Sequence, residues 1–386
     1  MSSGIEEQLQ AIDGTTLTPL IQRALDREDV RVADWCSQPM YGGVEMDSSL
    51  YRFSGGAQAD GAVIPWTLIL KIVQASPGEN GDPQGVKYWK REALAYQSSL
   101  LSDLPGGLAA PRCYEAIEQP GSAYWVWMQD IQDDVGDTWP LEHYGTVARC
   151  LGQFNGAYLM GQPLPTHPWL TRKWLRQYVE QAAPAVALLL DSMDHPLIRR
   201  ALPGTSAEFF QRAWNERYAI LEAVERLPQT FCHLDAFRRN LFSRRTVEGC
   251  GQIVAVDWSY TGIASVGEDL APLVGGSIGF YAVMPADALR LEQIALDGYL
   301  AGLSDAGWRG NPDLVRFGYA ATLYWRYVFG GFVGEMVPWM LDERYHAAIE
   351  RATGHTMEEG ADYTALLIEF YQHVYERVHK LKAALD

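Results

Sequence analysis

The spacing of apolar positions changes about a third of the way along the chain. Segments 31–38, 48–54, 66–73, 111–118 and 123–131 are short runs rich in Val, Ile, Tyr, Trp and Thr, several of them separated by Gly and Pro clusters, and they predict strands. One helix interrupts them: Val86, Trp89, Ala93, Tyr96 and Leu100 recur at steps of three and four between Gly85 and Leu101. Residues 5–28 predict one or two short helices, the second opening at Thr18-Pro19, and the loop 75–84 reads as an exposed hairpin or linker. Beyond the acidic stretch 129–137 the helical period takes over, with helices predicted at 142–160, 169–193, 205–227, 286–304, 311–336, 342–353 and 359–384. Two short apolar strands, 240–243 and 252–257, stand out among them. The pattern predicts an α+β chain in two lobes. Residues 1–132 hold the N-terminal helices, a five-stranded antiparallel sheet and one helix; residues 133–386 are mainly helical. A hinge falls near the acidic stretch, and the cleft between the lobes is the natural ligand site.

Composition narrows the partners. With 386 residues, 48% of them hydrophobic, the chain can bury a large core in two lobes. No apolar run approaches the ~20 residues that span a bilayer, and Met1–Gln10 lacks the basic start and apolar core of a secretory leader. A formal charge of −17 repels phosphate backbones and argues against nucleic acid, while tolerating a cationic ligand. The five cysteines (Cys36, Cys113, Cys150, Cys232 and Cys250) are widely spaced without a CxxC, which suits free thiols in a reducing compartment. A cytoplasmic protein without a membrane or nucleic-acid partner is expected, as a monomer or homodimer.

Chemistry concentrates in His233-Leu234-Asp235-Ala236-Phe237-Arg238-Arg239-Asn240. An Asp with His two residues before it and Asn five after it has the spacing of a phosphoryl-transfer loop. There the Asp accepts or orients the proton of an attacking hydroxyl, and the Asn reaches back to hold Mg2+ on nucleotide phosphates. His233 packs and hydrogen-bonds to keep the loop in shape. Asp235 and Asn240 also suit an ordinary turn. Next, Ile253-Val254-Ala255-Val256 reads as a buried strand ending on Asp257, a rigidly held carboxylate of the kind that ligates Mg2+.

His233–Asn240, Val256-Asp257-Trp258 and Gly267-Glu268-Asp269-Leu270-Ala271 together resemble the aminoglycoside phosphotransferase and choline kinase-like group, relatives of the protein kinases. The resemblance implies a protein-kinase-like two-lobed fold and transfer of the γ-phosphoryl group of ATP (or GTP) to a hydroxyl of a small acceptor, aminoglycoside-, amino alcohol- or sugar-like. It implies Asp235 as base, Asn240 and Asp257 as Mg2+ ligands, and Asp269 as a brace at a helix start. Two departures stand out: Leu234 occupies a position where the small-molecule group usually has Gly, and Asp257-Trp258-Ser259 replaces the protein-kinase Asp-Phe-Gly. The alternatives are a nucleotide-binding pseudokinase or a kinase of protein side chains.

Lys71 lies inside the apolar run Thr67–Val73, where a charge needs a partner or a ligand. The resemblance implies that Glu92, on the following helix, pairs with it and aims it at nucleotide phosphates. The turn Tyr41–Ser49 is a phosphate-covering candidate through Gly43 and Ser48, although an ordinary hairpin explains it equally. Backbone groups near Met128 and Asp130 are expected to meet the adenine edge. Arg238 or Arg239 could neutralise charge on the transferred phosphate or pair with acids. The resemblance places the acceptor against the helical lobe, where the aromatics of Tyr324–Tyr327 and Trp339, with Arg326 and Glu335, either face it or are simply core: the acid and rings would suit an amine, the Arg a carboxylate or phosphate.

Overall fold

The computed structural model describes residues 3–40, 48–75, 81–120, 122–245 and 251–385. Two helices, α1 (Ser3–Gln10) and α2 (Gly14–Leu25), precede an antiparallel sheet of β1 (Arg31–Met40), β2 (Ser48–Ala59), β3 (Ala62–Gln74), β5 (Cys113–Gln119) and β6 (Ala123–Gln129), in the order β1-β2-β3-β6-β5. The second helix opens at Gly14 rather than at Thr18-Pro19, because the Asp13 carboxylate accepts the Thr16 N–H at 2.9 Å and caps the first turn. Alternation along β3 sorts its two faces. Leu68, Leu70 and Ile72 pack beneath Leu17, Leu20 and Ile21 of α2, each such burial stabilising by about 1.5–3 kcal/mol. Ile69 faces the other way with Val126, Met128 and Ala93. Lys71 shares that second face, against α3 (Arg91–Gln97).

The helix expected over 85–101 is shorter, only Arg91–Gln97. The Arg91 guanidinium draws the carbonyls of Pro83, Gly85 and Val86 inward, so the preceding residues form turns instead of a helical ladder. The same side chain donates to the carbonyls of Trp169 and Ser259, both at 2.8 Å, and ties α3 to the rest of the molecule. The two-residue strand β4 (Leu108–Ala109) then pairs in parallel with β9 (Gly251–Ala255).

The remainder is α4 (Leu141–Leu159), α5 (Trp174–Glu180), α6 (Ala183–Asp191), α7 (Pro196–Ala201), α8 (Ala207–Glu225), β7 (Gln229–Cys232), β8 (Leu241–Arg245), β9 (Gly251–Ala255), β10 (Gly262–Ser265), α9 (Ala271–Gly279), α10 (Ala288–Asp305), α11 (Pro312–Tyr324), a π-helical stretch Trp325–Met336, α12 (Val337–Leu341), α13 (His346–Thr353) and α14 (Met357–Leu385). The single helix expected over 169–193 is two, since Pro184 can sit only in a first turn. That expected over 311–336 changes to π geometry at Trp325. β7 pairs with β10, and β8 with β9. Helices α4 and α10 cross so closely that a Cβ at Gly152 would stand 2.2 Å from the Tyr299 carbonyl. That approach carries Asn155 and Tyr299 to the base of the loop between β7 and β8. Among the described residues, no helix is long and apolar enough to cross a membrane.

Candidate active site

The loop between β7 and β8 is built on two buried polar side chains, Asp269 and Asn155. Asp269 accepts from the backbone N–H groups of His233 (3.2 Å) and Leu234 (2.7 Å), and from the Asn155 amide (3.3 Å). Asn155 in turn donates to the Phe231 carbonyl at 2.9 Å and accepts from the Tyr299 hydroxyl at 2.7 Å. Every partner lies inside the protein, so the loop's shape is held from below at several points. Asp269 thus occupies the bracing position expected of it. Asn155 was not anticipated from sequence; a lone amide among the apolar positions of α4 was its one signal.

Leu234 adopts φ 66°, in the left-handed region, while its side chain is buried at 1% exposure. For a residue with a Cβ this conformation costs about 1–2 kcal/mol. It is gripped on both sides: Asp269 takes the Leu234 N–H, and the Arg326 guanidinium donates to its carbonyl. The departure from Gly therefore leaves the left-handed turn in place and adds a packed side chain.

His233 is fully buried. Its Nδ1 accepts the Asp235 N–H at 3.1 Å, and its Nε2 lies 2.9 Å from the Val256 carbonyl, which assigns the proton to Nε2. Burial pushes the imidazole down to about 4, so it is neutral near pH 7. His233 is consequently a positioning group that joins the loop to the strand leading to Asp257, and not a proton shuttle.

The Asp235 carboxylate is held from both sides. Oδ1 accepts from Arg326 Nη2 at 2.6 Å, and Oδ2 from the Asn240 amide at 3.0 Å. The sequence offered Arg326 only as a group facing the acceptor; its grip on Asp235 was invisible until α11 and the π-helical stretch were folded against the loop.

Lys71, on β3, holds its ammonium 2.6 Å from Glu92 and 2.9 Å from Asp257. Burial disfavours its charge, but the carboxylates of Asp257 and Glu92 outweigh burial and hold it above the usual lysine value. Burial likewise raises the Asp257 carboxyl, yet Lys71 pulls it below its ordinary value, so both groups are charged near neutrality. Asp257 itself takes a left-handed conformation, φ 62° and ψ 66°, just beyond β9. Its neighbour Val256 donates its N–H to the Asn240 carbonyl at 2.9 Å, which brings the two expected metal ligands together.

The donor set there is a carboxylate and an amide oxygen, hard ligands that fit Mg2+. Among the described residues no three His, Cys, Asp or Glu side chains group to enclose a metal.

Other expected residues fall elsewhere. Arg238 does not reach toward Asp235: it pairs with Asp133 at 3.1 Å, donates to the Gly136 carbonyl at 2.6 Å and lies over the Trp139 ring. Of its two readings, pairing with an acid is the one realised, because the short turn 238–240 directs it back onto the acidic stretch. Met128 is buried in β6 opposite Ile69, and the Asp130 carboxylate is clamped by Arg52 at 2.9 and 3.1 Å. Their backbone lies where β6 leaves the sheet. Gly43 lies outside the described residues, and Ser48 opens β2 opposite Val73.

The model of the phosphotransferase enzyme family, APH, matches residues 84–309, more than half of the chain. No curated protein matches in sequence. Among solved structures the chain is similar to the amicoumacin kinase hAmiN in complex with AMP-PNP, Ca2+ and Ami, with 14% identity over 88% of each chain and a TM-score of 0.50. It is also similar to an ethanolamine kinase from Plasmodium vivax, with 12% identity over 88% of this chain and 83% of that one, TM-score 0.45. An aminoglycoside phosphotransferase from Alicyclobacillus acidocaldarius matches at 12% identity over 89% and 92%, also with a TM-score of 0.45.

Proposed function

The chain belongs to the phosphotransferase enzyme family, and on that premise we propose that it transfers the γ-phosphoryl group of ATP (or GTP) to a hydroxyl of a small molecule. The observation that carries this reading is the convergence of Lys71, Glu92 and Asp257 on one buried charge cluster, with Asn240 joined to the strand that delivers Asp257. A lysine held between two carboxylates is rigid and charged, which is what gripping phosphate oxygens requires.

In this reading Asn240 and Asp257 hold Mg2+, which when bound neutralises phosphate charge. Lys71 contacts the phosphates, and backbone groups after Met128, toward Asp130, meet the base. Asp235 orients the acceptor hydroxyl for in-line attack: a bond forms from that oxygen to the γ-phosphorus, the bond to the β–γ bridging oxygen breaks, and the hydroxyl proton passes to the Asp235 carboxylate. Arg326 and Asn240 keep that carboxylate aimed.

The test is Mg2+-dependent ADP release from ATP, with and without hydroxyl acceptors, in the wild type and in Asp235→Asn and Asp257→Asn. Loss of turnover with a retained fold is expected in both variants. Full activity in either would refute the assignment, and nucleotide binding with no turnover on any acceptor would favour a binding protein.

A further inference from the structure

Against Asp235 stands a cation in a nest of rings. Arg326 is the second residue of the π-helical stretch, and its side chain is only 8% exposed. Its guanidinium carbon lies 4.4 Å from the Trp174 ring centre, 5.4 Å from Tyr327 and 6.0 Å from Tyr178. Trp174 stacks on Tyr178 at 4.8 Å and meets Tyr260 at 5.0 Å. Tyr178, Tyr260 and Tyr327 are each half-buried. The nearby acid Glu335 is engaged by the Tyr178 hydroxyl at 2.8 Å.

Two consequences follow for whatever lies on this floor. First, a guanidinium has five N–H donors, and the described bonds to the Leu234 carbonyl and Asp235 account for two of them. It therefore offers further donors to a carbonyl or carboxylate. Second, the Asp235 carboxylate 2.6 Å away offsets the guanidinium charge, so the preference is set by hydrogen bonding: an ammonium has no acceptor for the remaining Arg326 donors, whereas a carbonyl or carboxylate oxygen does.

We propose that Arg326 is the specificity-determining residue of this site, and that the acceptor carries a ring and a carbonyl or carboxylate oxygen beside the reacting hydroxyl instead of an ammonium. This rests on the phosphotransferase reading above. The ring lies against Tyr178, Tyr260 and Tyr327, the oxygen meets Arg326, and the hydroxyl reaches Asp235.

Three probes on one frame test it: mandelate, mandelamide and 2-amino-1-phenylethanol, which place a carboxylate, an amide or an ammonium beside the same benzylic hydroxyl. The measurement is acceptor-dependent ADP release, as kcat/KM for each probe, in the wild type and Arg326→Gln, with acceptor-free hydrolysis of Mg2+-ATP by water recorded alongside. The wild type should favour mandelate and mandelamide over the amine by at least tenfold, and Arg326→Gln should shrink that ratio at least fivefold. The ratio is taken within each protein, so a general loss of activity cancels. If Arg326→Gln does not fold, Arg326→Lys replaces it and should keep the preference for mandelate. A wild type that prefers the amine, a ratio unchanged in Arg326→Gln, or hydrolysis by water with no response to any probe would each overturn the proposal. Absence of both ATP binding and hydrolysis would instead overturn the phosphotransferase reading.

Discussion

Leu234 offers a direct measurement of how the loop is held. Two substitutions empty the same buried space: Leu234→Ala keeps a Cβ in the left-handed conformation at φ 66°, and Leu234→Gly removes it. Loss of the packed side chain costs both variants about 3–5 kcal/mol. Glycine then regains about 1–2 kcal/mol of backbone strain, and gives back about 0.4–1 kcal/mol through the greater freedom of its unfolded chain. The glycine variant should therefore be more stable than the alanine variant by about 0.5–1 kcal/mol, the reverse of the usual order. Guanidinium unfolding midpoints, compared at a common slope, read this difference. An alanine variant more stable than the glycine variant by ~0.5 kcal/mol or more would show that the conformation carries no strain and refute the reasoning.

Three further outcomes are expected. Glu92→Gln removes one of the two carboxylates holding Lys71 and should lower kcat/KM for ATP about 10–100-fold, read by steady-state kinetics with a thermal melt as control. His233 is neutral in the fold because burial depresses its pKa to about 4, so its contribution is complete above the unfolded value of ~6.5 and is lost as pH falls toward 4. The wild type should accordingly lose about 3 kcal/mol more than His233→Gln between those limits, a difference visible in unfolding free energies measured against pH. Arg238→Ala breaks a buried pair with Asp133 and should destabilise by about 3 kcal/mol while kcat stays within about threefold, since Arg238 faces the acidic stretch and not Asp235.

Much of this protein was legible in one dimension because its signals are local. Runs rich in β-branched and aromatic residues, punctuated by Gly and Pro, predicted five strands, and the spacing of Asp235, Asn240 and Asp257 marked a loop and a strand end. A lone lysine in an apolar strand announced that it must be paired, since an unpaired buried charge is too costly. Helix ends were less legible. The Arg91 side chain bonds to carbonyls close by in sequence and to others far away, and that choice depends on the folded surroundings.

What the sequence by itself determined is therefore the set of groups proposed to handle phosphate and metal. Only the tertiary structure decided how they are held and what stands beside them. Arg326 lies 91 residues from Asp235, and Asn155 lies 114 from Asp269. Whether such groups meet depends on helix packing and the register of the crossing, and no local pattern encodes that. Arg238, within the loop proposed to handle phosphate, turns back onto Asp133 and away from Asp235 because a three-residue turn reverses its direction. The same physics moved the arginine that matters to Asp235 from the loop itself to a distant helix, where its carbonyl and carboxylate partners could both be reached at once.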